Sequence, residues 1–286
     1  MKKVICALCL GAFVATNVYA AEGDESTANI RLNVKRIGLE MSSTDVQNAE
    51  LYQDSPNSKL SADSETVIKG VFDAVVEYEQ ETYQWNNGLQ MEYGKTKLKP
   101  AEGEETTTEN TDRIWLYTDI NAKMWKYNDS DIGPFASIGY QTEFTANNDA
   151  PRTKIVRGME GIKMFNGENI KELYLAAVEE YDFTYSGDET AKLAYEIGMK
   201  SEYPLRDGVK FQLDGYFRDY VYFSNYVGTD FSYELGAVGR MDVKLNDMLS
   251  LAPYVNYFMA KARETDKRGS NFMIGLALTY SDLFDF

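Results

Sequence analysis

The chain has no histidine and very little cysteine, and these two absences limit the chemistry available to it. Histidine is a frequent general base in enzymes because its pKa lies close to neutral pH. The two cysteines, Cys6 and Cys9, both lie within the first ten residues. Without a cysteine beyond that point, disulfides, thiol catalysis and thiolate metal sites are excluded. We therefore expect no catalytic residue, no metal site and no cofactor.

Long hydrophobic runs are also missing beyond the first twenty residues. A basic pair at 2–3 precedes an apolar segment at 4–14, and residues 18–20 form a small-x-small cleavage pattern. This pattern is typical of a secretory signal peptide at 1–20, and its apolar segment is too short to span a membrane as a helix. No later segment approaches the roughly 18 apolar residues that a membrane helix needs.

Basic side chains are few compared with acidic ones. The sequence has 29 Lys and Arg against 45 Asp and Glu, which gives a formal net charge of −16. Proteins that bind nucleic acid need a basic surface, so nucleic acid is not an expected partner. Aromatic residues nevertheless make up 13% of the chain, and disordered acidic chains contain few of them. The composition therefore predicts a folded protein.

A strict alternation of side chains is present instead, and it is clearest in Val209–Phe223. Its odd positions are mostly apolar and its even positions are polar or tyrosine, so the two sets lie on opposite faces of a strand. Globular strands usually have about 5–6 residues. A tilted strand that crosses a bilayer needs about 9–11 residues. This longer stretch therefore predicts a transmembrane strand.

The same alternation recurs along the chain and predicts twelve strands between Asn29 and Phe286. Short connections alternate with longer ones, which is the pattern of bacterial outer-membrane barrels. The connections at 42–65 and 98–112 are polar, and we expect them to be solvated surface loops. A secreted β-sandwich, the alternative, would have shorter strands and a polar outward face. The predicted fold is all-β, a transmembrane antiparallel up-and-down barrel formed by residues 21–286.

Three positions interrupt the alternation. In the first strand the apolar face changes parity after Lys35 and Arg36, which predicts a β-bulge. Glu179 falls on the lipid-facing parity, and Pro253 has no N–H to donate to a neighbouring strand. We expect a bulge near each of these two residues.

The end of the sequence resembles the C-terminal sorting signal of outer-membrane barrels. Phe286 is preceded by Phe284, Tyr280 and Leu278 at alternate positions, and Asp282 departs from a fully apolar pattern. The resemblance implies recognition of Phe284 and Phe286 by barrel-insertion machinery. It also implies location in the outer membrane of a Gram-negative cell.

Two internal segments resemble a group of uncharacterised outer-membrane barrels. They are Tyr83–Lys97 (YQWNNGLQMEYGKTK) and Thr111–Trp125 (TDRIWLYTDINAKMW). This group is classed with domains of unknown function and includes the salt-induced outer-membrane type. The resemblance implies a barrel, and it supplies no catalytic or ligand-binding residues.

The inward positions of the predicted strands carry most of the charge. Strands two to seven are mostly acidic there, whereas strands eight to ten combine basic and acidic groups. A mixed-charge wall would then face an acidic wall across the interior. The predicted lumen-lining residues are Asp73, Glu92, Asp119, Lys123, Glu143, Glu180, Lys200, Lys210, Asp214, Arg218, Glu234 and Arg240.

Two functions fit this arrangement. An open interior would make the protein a narrow porin-like channel for small polar or cationic solutes. If the same charges pair locally and fill the interior, the protein is a non-conducting structural or surface-interaction barrel. A lipid-modifying enzyme fits less well, because outer-membrane enzymes use a histidine and no carboxylate pair stands out. The lipid and lipopolysaccharide of the outer membrane are expected partners in each case.

Overall fold

The computed structural model covers most of the chain. It describes residues 29–52, 59–60, 64–98, 106–145, 151–225, 228 and 230–285. The predicted signal peptide at 1–20 and the terminal Phe286 lie outside these residues. Within them, no helix is long and apolar enough to span a membrane.

The described residues form one closed antiparallel sheet of twelve strands. In chain order the strands are β1 (Asn29–Gln47), β2 (Ser64–Glu79), β3 (Tyr83–Leu98), β4 (Thr106–Ala122), β5 (Ser130–Thr142), β6 (Ile155–Phe165), β7 (Ile170–Asp182), β8 (Thr190–Arg206), β9 (Val209–Phe223), β10 (Phe231–Lys244), β11 (Leu249–Ala262) and β12 (Gly269–Asp285). Trp125–Tyr127 continues β4 and also pairs with β5. Each strand pairs with its neighbours in sequence, and β1 pairs with β12 to close the cylinder. The predicted barrel is confirmed.

The short and long connections lie at opposite ends of the cylinder. The short ones are residues 80–82, 128–129, 166–169, 207–208 and 245–248. Asn128, Asn166 and Gly208 adopt left-handed backbone conformations (φ of 53°, 60° and 73°), which allow the chain to reverse tightly. The Asp129 carboxylate accepts a hydrogen bond from the Glu168 backbone N–H. This bond between two neighbouring turns holds the pKa of Asp129 below its ordinary value.

The outward face of the cylinder is apolar. On β1, Ile37, Leu39 and Met41 project outward and are exposed, while Glu40 between them is buried inside. The same inversion holds on the other strands, where exposed outward side chains include Ile68, Val76, Leu116, Ile138, Ile162, Leu175, Ile197, Val221, Val255, Ile274 and Leu276. Large contiguous apolar surfaces are rare on soluble proteins, and an apolar outward belt is typical of barrels that cross a membrane.

Two strands are longer than the sequence pattern predicts. β1 extends to Gln47 and β4 begins at Thr106, so the connections predicted at 42–65 and 98–112 are shorter than expected. The end of β1 was missed because residues 42–47 are mostly polar on both faces of the strand. Such a composition is expected where a strand projects beyond the apolar belt.

One of the three predicted bulges is present. The pairing register shifts between Val34 and Ile37, which confirms the bulge at Lys35–Arg36. The bulges expected near Glu179 and Pro253 are wrong, because the pairing continues there without a shift. A proline removes one backbone donor without inserting a residue, so the register is preserved. Glu179 keeps its outward parity and is exposed.

Candidate functional site

The interior of the barrel is the candidate site, because inward side chains from all around the cylinder meet there. Arg218 on β9 is the centre of one buried cluster. Its guanidinium lies 2.5 Å from Glu196 on β8 and 3.1 Å from Glu234 on β10. The Tyr174 hydroxyl donates to Glu196 at 2.5 Å, and the Tyr220 hydroxyl accepts from Arg218 at 3.2 Å. The cluster combines one cation with two carboxylates and joins β7 to β10.

Glu180 on β7 is paired from both sides. Arg157 on β6 lies 2.7 Å from its carboxylate, and Lys192 on β8 lies 3.8 Å away. Lys192 also approaches Asp230 at 3.3 Å. Arg157 is not among the predicted lumen-lining residues, because Gly158 and a second glycine obscure the alternation in β6. The odd positions of that strand, which point inward, could have identified it.

Arg240 on β10 reaches across the interior to β1. Its guanidinium lies 3.8 Å from Glu40 and 2.8 Å from Asp242. The Glu40 carboxylate also lies 3.0 Å from the Arg36 guanidinium and 3.3 Å from the Lys69 ammonium. Three strands, β1, β2 and β10, therefore meet at one buried carboxylate.

Asp119 on β4 is buried and paired. The Lys163 ammonium on β6 lies 3.1 Å from its carboxylate, and the Asn121 amide donates to it at 2.7 Å. Lys163 also lies 3.8 Å from Glu172 on β7 and 4.5 Å above the Phe135 ring. Lys163 is a second basic residue of β6 that is absent from the predicted lumen-lining set. The wall formed by β2–β7 is therefore not purely acidic.

The remaining predicted positions differ in their environments. Three are paired: Glu92 with Lys69 (2.7 Å), Lys123 with Glu79 (2.8 Å) and Lys210 with Glu202 (3.0 Å). Glu143 lies beyond the end of β5 and accepts the backbone N–H and hydroxyl of Thr153 at 3.0 and 2.7 Å. Glu143 therefore stabilises the connection between β5 and β6. Phe284 is exposed at the short-turn end, and Phe286 lies outside the described residues.

The described residues of the connection between β1 and β2 pack against the barrel wall, which corrects the predicted solvated loop for these residues. Tyr52 is 2% exposed and Leu60 is 0% exposed, and both lie in an apolar cluster with Phe258. The Tyr52 hydroxyl donates to the Lys267 carbonyl at 2.8 Å and accepts the Ala262 N–H at 3.3 Å. Two apolar side chains in a polar segment gave too weak a signal for this docking to be predicted.

Lys59 in the same connection lies against the inner wall of the barrel near the loop end. The Asn271 amide donates to its carbonyl at 2.7 Å, and its ammonium lies 4.9 Å above the Phe258 ring. The segment therefore places a lysine side chain against the inner face of β11.

A second level of charge, which we call the mid-barrel ring, consists of Arg36, Asp73, Glu172, Lys200 and Asp214. Asp214 on β9 is the register partner of Lys200 on β8, and Lys200 is the register partner of Glu172 on β7. On the far wall, Arg36 on β1 and Asp73 on β2 are register partners. Lys200 lies 3.0 Å from Glu172, yet its inward-pointing side chain is 46% exposed. A side chain that points inward and remains exposed borders space that water can reach.

The charges of the mid-barrel ring do not cancel. Arg36 and Lys200 are each paired with a glutamate. Among the described residues, neither Asp73 nor Asp214 forms an ion pair, and the Oδ1 atom of Asp73 has no hydrogen-bond partner. The ring therefore carries an acidic excess. Within the same described residues, no three acidic side chains group as they would to hold a metal ion.

A closed antiparallel cylinder with an apolar outside and a charged inside is the fold of porin-like outer-membrane barrels. An outer-membrane channel from Pseudomonas putida F1 shares this fold, with a TM-score of 0.54 and 11% identity over 91% of this chain and 97% of that chain. The outer-membrane channel DcaP of Acinetobacter baumannii gives a TM-score of 0.42 and 9% identity over 91% and 99%.

The family comparison agrees with the resemblance seen in the sequence. The model of a family described as "Protein of unknown function (DUF3078)" matches residues 59–147. Both Tyr83–Lys97 and Thr111–Trp125 lie within that match, so the resemblance to an uncharacterised family is confirmed. No curated protein matches the chain.

Proposed function

We propose that the protein is an outer-membrane channel that lets small polar solutes pass and favours cations. The observation that carries this proposal is the mid-barrel ring, where Lys200 points inward and remains exposed. A filled interior would bury every charge that faces it. Here accessible charged groups from opposite walls border one space, as in a pore constriction that orients polar solutes.

The preference for cations follows from the two unpaired carboxylates. Asp73 and Asp214 lie on opposite walls, and no cation of the described residues pairs with either. A confined space with low-dielectric walls strengthens the potential that such charges create. The buried pair Asp119–Lys163 contributes little to this potential because its two charges cancel. The acidic excess of the ring therefore favours a cation over an anion.

The test is a measurement of ion selectivity in planar bilayers. Wild-type protein under a KCl gradient should give a reversal potential on the cation-selective side. The double variant Asp73→Asn and Asp214→Asn should shift that potential toward zero, because it removes two negative charges and preserves side-chain size. Glu81→Gln is the matched control, since Glu81 is exposed in a short turn and should leave the potential unchanged.

Two outcomes would contradict parts of the proposal. If correctly folded wild-type protein gives no current steps at any voltage, the protein is the non-conducting barrel whose charges serve only to hold its walls together. If the wild type conducts and the double variant keeps the same reversal potential, Asp73 and Asp214 do not set the selectivity.

A further inference from the structure

A basic pocket lies on the outside of the barrel at the long-connection end, away from the interior. It has a volume of about 430 Å³ and is lined by Asn48, Tyr233, Lys261, Asp266, Lys267 and Arg268. Lys261 and Tyr233 are opposite each other on β11 and β10 and share the outward parity. The pocket therefore opens toward the membrane interface and outside the pore.

Three cations and one carboxylate line this pocket in a chain with a net charge of −16. Within the described part of the chain, the side chains of Lys261, Lys267 and Arg268 form no ion pair or hydrogen bond. Most basic side chains of the interior are paired with a carboxylate, as in Arg218 and Arg240. A concentration of unpaired cations on an acidic protein suggests an anionic ligand from outside the chain.

The backbone that carries two of these cations is fixed in place. The Asn48 amide donates to the Arg268 carbonyl at 2.9 Å, and the buried Tyr52 hydroxyl donates to the Lys267 carbonyl at 2.8 Å. The Thr265 hydroxyl lies 3.2 Å from the same Lys267 carbonyl. Both carbonyls accept hydrogen bonds from within the protein, so the charged side chains of Lys267 and Arg268 are left to contact a ligand. Such prior ordering lowers the entropic cost of binding.

We propose that Lys261, Lys267 and Arg268 bind a phosphate group of the lipid in the surrounding outer leaflet. Guanidinium groups bind phosphate through two parallel hydrogen bonds, and lysines add point charges. Basic pockets beside membrane-spanning elements bind lipid head groups by the same contacts. The Tyr233 ring, whose centroid lies 6.1 Å from that of the Phe217 ring, gives the pocket an aromatic wall suited to the membrane interface. This inference requires the outer-membrane location and does not require conduction.

The test compares phosphorylated lipid A, enzymatically dephosphorylated lipid A and inorganic phosphate as ligands for purified, detergent-solubilised full-length protein. Native mass spectrometry measures each affinity for the wild type and for the double variant Lys267→Gln and Arg268→Gln. Losing two charge-assisted contacts should weaken binding of phosphorylated lipid A roughly tenfold or more. Lys171→Gln with Arg206→Gln is the control, since it removes the same charge from exposed positions at the other end.

The inference stands if phosphorylated lipid A binds most tightly and only the Lys267/Arg268 variant loses that preference. Equal affinity of the wild type and this variant would overturn it. Equal binding of both lipid A forms would also overturn it, because phosphate would not be what is recognised. If inorganic phosphate bound as tightly as phosphorylated lipid A, the pocket would recognise a soluble anion and not a lipid, which would also overturn the inference. Conductance of the variant should equal that of the wild type, which separates this result from the channel proposal.

Discussion

Arg218 shows how much a single inward charge can matter for stability. Replacing it by methionine would leave Glu196 and Glu234 buried without their cation. Breaking a buried pair in this way typically costs about 3–5 kcal/mol. We expect Arg218→Met to lower the free energy of unfolding by that amount, measured by urea titration of the protein in lipid vesicles with tryptophan fluorescence as the signal.

A matched variant distinguishes burial from charge alone. Lys210 is also paired with a glutamate, but its side chain is 42% exposed near the short-turn end. Exposed pairs contribute about 0–1 kcal/mol, so Lys210→Met should change the unfolding curve little. Equal losses for the two variants would mean that the Arg218 cluster is solvated and contributes no more than a surface pair.

At the scale of an element, we expect the connection between β1 and β2 to restrict the loop-end half of the interior, because Tyr52, Lys59 and Leu60 lie against the barrel wall. Tyr52→Ala removes both the buried ring and its hydroxyl, so the segment should lose its contact with Phe258 and β11. The strand pairing is untouched. We therefore expect a larger single-channel conductance with the same reversal potential, because Asp73 and Asp214 remain in place. This is measured by recording single channels in planar bilayers.

Tyr185→Ala is the control for that experiment. Tyr185 lies in the connection between β7 and β8, where its side chain is exposed. Its removal should leave conductance unchanged. An unchanged conductance in Tyr52→Ala as well would show that the docked segment does not restrict the path.

The sequence predicted the strands well and the contacts between them poorly, and the reason is physical. Alternation with a period of two reports which face of a strand is apolar, and the exposed side chains of Ile37, Leu39 and Met41 follow the parity predicted after Lys35 and Arg36. The contact between Arg240 and Glu40 joins positions two hundred residues apart. It depends on closure of the cylinder, and no local pattern encodes it. The pairing of Asp119 with Lys163 could not be predicted from the sequence for the same reason.

For the whole molecule, closure of the sheet predicts a resistance to detergent. Every strand is hydrogen-bonded on both sides, so sodium dodecyl sulfate has no free edge at which to begin unfolding. Unboiled protein should migrate differently from boiled protein on gels, and the unboiled sample should keep β-rich circular dichroism. Identical migration together with solubility in detergent-free buffer would contradict a membrane-embedded barrel.

The pairing of β1 with β12 also sets an order on biogenesis. Arg31 and Asp285, near opposite ends of the chain, are partners across the closing pair. The edge of β1 that pairs with β12 therefore stays unpaired until β12 has been synthesised. Until then the chain carries an unpaired edge and an apolar face through an aqueous compartment, which is a state prone to aggregation. We therefore expect a protein built this way to need escort to the membrane and to close its cylinder there.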